Sequence, residues 1–593
     1  MIWLITALLL YAFGREFFAQ WKMGDPDDQL RLVQVRDWLA GQSWWDITQY
    51  RMNVPQGGPM HWSRLVDVPI AAAILLLSPL VGAENAEYAA AIIVPLLTYG
   101  LVLALYAAIA RRLFGTIAAL VAALLLFMIW PVRAQLVPLR IDHHGWQIVM
   151  FLIAMWGLFD PRRSIWSALA IGAALALWIE ISVEGLPFAA LILGLLALEW
   201  LLGAKSDTMS SNSEKRFPAA LAALALCTAF LYSITESWLT TGNYCDSLSP
   251  FHVAAFAAVA AVVCTGVLWL PHRPGEAQWT TKLMIGVVAL ATGAASWWLV
   301  APHCAGDAFS ALDPLVRKYW YVRVYEGLPL WDVPRDYAAA PIIGMVAGLV
   351  LLSICIYQRN RLSTRNALLL GLLYLGCLVV GGFVIRTTLY SLLLSGMLVG
   401  WGTVALFQYA ENQSGLALRM GLRTAGLLLA MTHLFAQNIS IAMRDNRHAT
   451  GTREQAEDVR LEQAVRQCQR AEASQALGRL PPSRLMVALD SSPSILQFTR
   501  HSVIATGHHR NDTAMADVIR TFTSDATIAE RIFRDRNIDY LVTCPGSYEL
   551  RFYANDAPAG FAAALERGEI PRWLVPQADI GPFQIWRVDW TRR

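Results

Sequence analysis

Apolar runs broken by short charged segments fill the chain up to about residue 440 and then cease. A bilayer crossing takes about 20 consecutive apolar residues. Thirteen runs near that length read as crossings: 2–20, 87–110, 116–132, 146–159, 165–181, 186–203, 217–234, 251–270, 283–301, 339–356, 367–384, 388–407 and 424–442. Beyond them the pattern changes to short apolar runs alternating with amphipathic stretches. Leu485–Leu489, Val503–Thr506 and Asp539–Thr543 read as buried strands, with helices predicted at 455–476, 512–522 and 526–537. The fold class is therefore a polytopic α-helical membrane domain, residues 1–440, followed by a C-terminal soluble α/β domain, residues 441–593.

Charge follows the same division. Residues 441–593 carry 39 of the 91 Asp, Glu, Lys and Arg residues, about 25% of that region against about 12% of the rest. A net charge of +3 over 593 residues leaves no basic footprint for nucleic acid. Topology then depends on the apolar stretch 68–82. As a crossing it would put Arg111 and Arg112 outside. As a re-entrant or surface helix it puts them inside, together with Arg162, Arg163, Lys205, Lys215, Arg216, Arg273, Lys282, Arg359, Arg361, Arg365, Arg419 and Arg423. Positive charge in short loops marks the cytoplasmic face, so the second reading is adopted, with the N-terminus inside. The first run has neither the basic start nor the small-residue cleavage site of a secretory signal and reads as a crossing.

This topology places loops 21–86, 133–145, 235–250 and 302–338, and the tail, on the outer side. Cys245, Cys304, Cys468 and Cys544 lie there, where disulfides persist. Their connectivity is open, with Cys245–Cys304 and Cys468–Cys544 one pairing. Their spacing fits no zinc pattern.

The outer loops also hold the concentrated charge. Gly24-Asp25-Pro26-Asp27-Asp28 sets three carboxylates at the end of a membrane helix, suited to a cation or to proton transfer; one such Asp alone would be a helix cap. Arg140-Ile141-Asp142-His143-His144 offers carboxylate and imidazole groups to one divalent cation. The loop 302–338 contains Ser310-Ala311-Leu312-Asp313-Pro314, then Arg323-Val324-Tyr325-Glu326 and Trp331, as a mobile substrate-covering loop would. Arg386, between two apolar runs, suits a lipid phosphate. In the tail, Gly507-His508-His509-Arg510-Asn511 follows a strand and offers contacts to phosphate or sugar. No glycine-rich nucleotide signature is present, so a nucleotide-sugar donor has no support.

Taken in order, these motifs resemble the catalytic subunit of oligosaccharyltransferases, within the GT-C class of lipid-carrier-dependent glycosyltransferases. Asp25–Arg31, Trp44-Trp45-Asp46 and Pro55–Gly58 are similar to the family's acidic first loop, and Asp142-His143-His144 to its second acidic motif. Leu312-Asp313-Pro314, Val324-Tyr325-Glu326 and Trp331 are similar to its fifth external loop, and Arg386 to its lipid-diphosphate arginine. The resemblance implies thirteen spans and an external C-terminal domain. It also implies a divalent metal, Mg2+ or Mn2+, on Asp25, Asp142 and His144. Asp25 and Glu326 would be catalytic, Arg386 would bind the donor phosphate, and Asp27, Asp28, His143, Arg323, His508, His509 and Arg510 would supply further substrate contacts. The family's Trp-Trp-Asp motif in the external domain, which reads an Asn sequon, has no counterpart at Arg484–Ser492.

The expected activity is thus inverting transfer of a sugar or oligosaccharide from a polyprenyl phosphate or diphosphate to an extracytoplasmic glycan, glycolipid or protein other than a sequon. The expected setting is a monomer among the lipids of a bacterial inner membrane, its tail periplasmic and without nucleic-acid partners. The alternatives are a transporter or flippase of lipid-linked glycans and an inactive assembly subunit. A transporter would need polar groups within its spans, where Glu180 and Glu184 are conspicuous.

Overall fold

The structure is a computed structural model of the whole chain. It describes every residue except 22, 204–210, 236–242, 271–275, 307–308, 310–311, 359–361, 450–466, 469 and 593. Lys205, Arg273, Arg359 and Arg361 of the inner loops, Ser310 and Ala311, and the first part of the expected helix 455–476 lie outside those residues.

Among the described residues, nine helices are long and apolar enough to cross a membrane, or ten if the bent pair Leu416–Ala430 and Thr432–Asp445 is one span. Four shorter apolar helices, Ile2–Arg15, Thr116–Met128, His144–Leu158 and Ile165–Ile181, occupy positions where crossings were expected. The chain is a polytopic membrane protein. Many large apolar side chains of these helices are exposed, Leu76 at 75%, Leu290 at 74% and Leu299 at 80%, as a bundle solvated by lipid requires.

The helix His144–Leu158 separates two polar regions. At its C-terminal end, Arg216 donates to Gly157 O and Arg365 to Leu158 O, and both pair with Glu199. At its N-terminal end stand Asp142 and the outer-loop charges. Fifteen helical residues span about 22 Å, so the basic-loop arginines and the acidic motifs occupy opposite ends of the bundle.

The apolar stretch 68–82 lies in the helix Arg64–Val81, which turns at Gly82 (φ +82°) into the long helix Ala83–Phe114. The loop helix Pro26–Leu39 grips both sides of that turn. Arg31 pairs with Asp67 at 2.9 Å, and five residues further on Arg36 pairs with Glu87 at 2.6 Å. Five helical residues advance about 7.5 Å, far less than a bilayer, so the hairpin leaves and returns on one side.

Beyond the bundle, a five-stranded sheet runs in the order β2-β1-β3-β5-β4. Its strands are β1 (Arg484–Met486), β2 (Ser502–Val503), β3 (Tyr540–Thr543), β4 (Leu574–Pro576) and β5 (Gln584–Val588). β1 is parallel to β2 and β3, while β5 is antiparallel to β3 and β4. The helices Asp512–Thr523 and Ala526–Asp535 fall where amphipathic periodicity predicts them. β4 and β5 were not foreseen. β5 lies inside the sheet and buries two consecutive residues, Ile585 and Trp586, so it lacks the apolar–polar alternation of a half-exposed strand.

The tail does not pack alone. Met52 of the first outer loop bridges in parallel to Val503 at the β2 edge, and Asn53 N donates to Val503 O. Leu30, Val33, Met52, Met60 and Trp62 share one apolar core with Leu485, Ile495 and Val542. Val316 and Tyr319 of the loop 302–338 are buried in a second core with Met515, Ile519 and Phe522. Disulfides Cys245–Cys304 and Cys468–Cys544 tie the outer segments.

Candidate active site

A cavity of about 390 Å³ lies between the outer loops and the tail. Its membrane-side wall includes Asp27, His143, His144, Glu184, Glu326 and Arg386; the opposite wall includes His61, Trp62, Asp246, Trp320, His508 and His509.

Asp25 is the cap of the loop helix. Its Oδ1 accepts the Asp27 N–H at 3.0 Å, satisfying a helix-terminal donor, while Oδ2 takes Arg140 at 2.7 Å. Arg140 also donates to Asp28 at 3.0 Å, and Asp28 Oδ1 accepts the Asp142 N–H at 2.9 Å. The two acidic motifs are thereby locked together, with Asp27 left facing the cavity. Burial pushes Asp28 up to about 7; Arg140 opposes that rise, and Asp25 and Asp142 add to it. Burial, then the charges of Asp25, Asp142 and Glu326, raise Asp27 well above the usual carboxylate range.

Asp142 is buried at the centre. Arg31, itself fully buried, lies 3.4 Å from its Oδ1, bonds Asp67 and stacks on the Trp62 ring at 4.8 Å. His143 Nδ1 is 2.5 Å from Asp142 Oδ1, and His144 Nε2 is 3.4 Å from Oδ2. Burial acts to raise Asp142, but hydrogen-bonded His143, then His144 and Arg31, hold it well below the usual range. One donor atom from each of Asp142, His143 and His144 lies within 4.8 Å of the others, and Asp142 Oδ2 is buried without a hydrogen-bond partner. An orphaned carboxylate oxygen beside two imidazoles, facing carboxylates that resist ionisation, fits a divalent cation. Asp25, expected among the ligands, is engaged by Arg140, and the group that converges is Asp142, His143 and His144.

Arg386 sits between two carboxylates, paired closely with Glu184 and at 3.3 Å with Glu326. Its Nε is buried with no hydrogen-bond partner. Burial raises Glu326, with Arg386 opposing. Glu326 and Arg386 also line a second cavity, of about 430 Å³, walled by Trp130, Pro131, Tyr337, Pro341, Leu389 and Arg444. The Glu326–Arg386 pair therefore stands where two cavities meet.

The other expected residues divide. His508 and His509 line the first cavity, whereas Arg510 is turned to Asp246, with 2.8 Å contacts to both carboxylate oxygens. Arg323 lies over the Phe552 ring at 3.2 Å and beside Tyr548, outside the cavity lining. Glu184, His61 and Asp246 were not foreseen as site residues. The signal for Glu184 was present, a Ser182-Val183-Glu184-Gly185 break between two apolar runs. His61 and Asp246 belong to no motif and meet only through the fold.

Helical bundle, gripped outer loops and α/β tail together make the fold that of GT-C glycosyltransferases. No protein-family model and no curated protein matches the sequence. Among solved structures, the chain is similar to the archaeal oligosaccharyltransferase AglB from Archaeoglobus fulgidus in complex with an inhibitory peptide and a dolichol-phosphate, at TM-score 0.66 and 14% identity over 100% of this chain and 74% of that one. The Archaeoglobus fulgidus oligosaccharyltransferase in the apo form gives TM-score 0.62 and 14% identity over 99% and 74%. Its complex with Zn and sulfate gives 0.59 and 14% over 100% and 74%. At this identity the likeness establishes the fold.

Proposed function

We propose that the protein is a glycosyltransferase that moves a sugar or oligosaccharide from a polyprenyl phosphate or diphosphate to an acceptor on the outer face of a bacterial inner membrane. The observation that carries this reading is the meeting of two cavities at Glu326 and Arg386, beside a cation-fitting Asp142-His143-His144 cluster. One cavity has an apolar side formed by Trp130, Pro131, Pro341 and Leu389 of the bundle and suits a lipid carrier, with the unpaired Nε of Arg386 free for the phosphate. The other, roofed by the tail, suits the acceptor. The similar structures support this arrangement: AglB is an oligosaccharyltransferase, captured with a dolichol-phosphate and with peptide.

In this mechanism the acceptor's nucleophilic atom attacks the anomeric carbon, the bond to the phosphate oxygen breaks with inversion, and the electron pair leaves with the phosphate. Arg386 donates to the departing oxygens, a fixed charge where negative charge grows. Asp27, facing the acceptor cavity with a raised proton affinity, takes the acceptor's proton, and Glu326 orients the acceptor; general-base action contributes about 10² to 10⁴-fold. Asp25 and Asp28 keep Asp27 and Asp142 in register through Arg140. A divalent cation held by Asp142, His143 and His144, with Asp27 alongside, would supply Lewis-acid neutralisation of the phosphate.

The tail lacks the Trp-Trp-Asp sequon reader and presents His508 and His509 to the cavity, which favours an acceptor other than an Asn sequon. The test is release of free polyprenyl phosphate or diphosphate from a lipid-linked sugar by the purified protein, with an Arg386→Gln control. Release that Arg386→Gln abolishes is the expected result. Transbilayer movement of the intact lipid-linked sugar with no release would instead establish the flippase reading.

A further inference from the structure

On the wall opposite Asp142, three segments distant in sequence bring together three imidazoles and a carboxylate. His61 comes from the first outer loop, Asp246 follows the Cys245–Cys304 disulfide, and His508 and His509 belong to the turn after β2. His509 Nε2 lies 2.8 Å from Asp246 Oδ2, and His61 Nδ1 lies 2.9 Å from His508 Nε2. The His61 ring centroid is 4.7 Å from that of His509 and 4.8 Å from that of His508. One donor atom from each of His61, Asp246 and His509 lies within 4.8 Å of the others. All four residues line the cavity.

The cluster is arranged for a cation. Arg510, which contacts the cluster, is committed to both oxygens of Asp246, to Ser247 Oγ and to Met60 O. It offers nothing further to an anion. Instead it fixes the carboxylate from behind, as hydrogen-bonding partners do around metal ligands. One proton lies between His61 Nδ1 and His508 Nε2, 2.9 Å apart, so His508 fixes the His61 ring as an outer partner does around a metal ligand. His509 Nε2 and Asp246 Oδ2, 2.8 Å apart, are a few tenths of an ångström closer than the about 3.3 Å between neighbouring ligands of a tetrahedral ion with bonds of about 2.0–2.1 Å, and a set of imidazoles with one carboxylate is that of Zn2+ and similar borderline cations. The nearby Cys245, His303 and Cys304 also approach one another, but both cysteines are spent in the disulfide.

We propose that His61, Asp246 and His509, with His508 bonded to His61 behind them, form a second divalent-cation site, of the zinc type, separate from the Asp142 cluster. It joins the first outer loop, the segment after Cys245 and the tail, closing the roof of the cavity with a metal bond between regions that sequence keeps more than 400 residues apart. It stands independently of the glycosyl-transfer reading.

The experiment uses the full-length protein in detergent, stripped with chelator, reloaded with Zn2+ or Co2+ and freed of excess metal. Metal content and the visible Co2+ spectrum are measured for Asp142→Asn, and for Asp142→Asn combined with His61→Gln and His509→Gln. The expected result is that Asp142→Asn keeps one tightly held ion with the d–d bands of nitrogen and oxygen ligation. The combined variant should bind it more weakly by more than the about 10- to 100-fold that loss of an outer partner costs. Asp142→Asn protein that holds no ion, or a combined variant with the same content and spectrum, overturns the proposal. The first arm leaves the histidines intact and decides even where the combined variant does not fold. Metal retention without lipid-phosphate release by the wild type would overturn the proposed function and leave this site standing.

Discussion

The two walls of the cavity achieve their chemistry differently. The membrane-side wall is built from charges close in sequence, Asp25-Pro26-Asp27-Asp28 and Asp142-His143-His144, held by a buried Arg31, Asp67 and Arg140 network. The tail-side wall is built from imidazoles and one arginine–carboxylate pair gathered from three separate segments. The first wall crowds carboxylates until burial and their mutual repulsion raise Asp27 and Asp28 above the usual carboxylate range. The second neutralises its own charge and offers lone pairs. The two walls therefore demand different things of the chain: the former short motifs on rigid helices, the latter a tail docked accurately on the loops.

Breaking the membrane-side wall should have the largest effect. Asp142→Asn should lower lipid-phosphate release by about 10³-fold, about 4 kcal/mol of transition-state stabilisation, with the fold retained by circular dichroism. Activity within a few-fold of wild type would remove Asp142 from the site. Disrupting the tail-side wall at its support comes next. Replacing Cys468 and Cys544 with Ala opens a 76-residue link and should cost about 3 kcal/mol, read as a lower melting temperature of the outer region. An unchanged melting temperature would show that packing alone holds the tail.

The carboxylate assignment sharpens the contrast within the first wall. Asp27→Asn should slow transfer by about 10²-fold, and Asp25→Asn by less, because Asp25 faces Arg140 and its capping hydrogen bond survives in Asn. The reverse order would return the proton-accepting role to Asp25. The smallest effect is one of pH. Asp28 is raised to about 7 in the folded protein, so its contribution to stability is complete below the unfolded value of about 3.9 and is lost as pH rises through about 7. Melting temperature in chelator should fall across that window, and Asp28→Asn should flatten the fall. An identical profile in the variant would show that other groups carry it.

Much of the first wall was legible in sequence because its parts are local. A Pro-Asp-Asp start follows a membrane helix, and two imidazoles follow an aspartate, so backbone connectivity alone brings the donors close. The partners that hold them were not legible. Asp67 sits inside an ordinary amphipathic pattern, Arg31 and Arg140 stand in the two acidic motifs without showing what they hold, and Glu184 reads as a span-end polar group until Arg386 is seen beside it. Arg323, conspicuous in its loop, is spent on Phe552 and Tyr548. A charged residue's role depends on which neighbour desolvates it, and that neighbour is remote in the chain.

By itself the sequence determined the membrane bundle, the α/β tail, the segregation of basic loops from acidic ones and the acidic motifs, because length, hydropathy and charge are additive along a chain. Only the tertiary structure decided which contacts hold the re-entrant stretch 68–82, that the first loop adds to the edge of the tail's sheet, and that Glu326 and Arg386 stand between two cavities. Each of these depends on non-local pairing: a hairpin gripped by Arg31 and Arg36, a strand edge that accepts Met52, and a pair of ions buried together. Such contacts arise where several elements close on the same space.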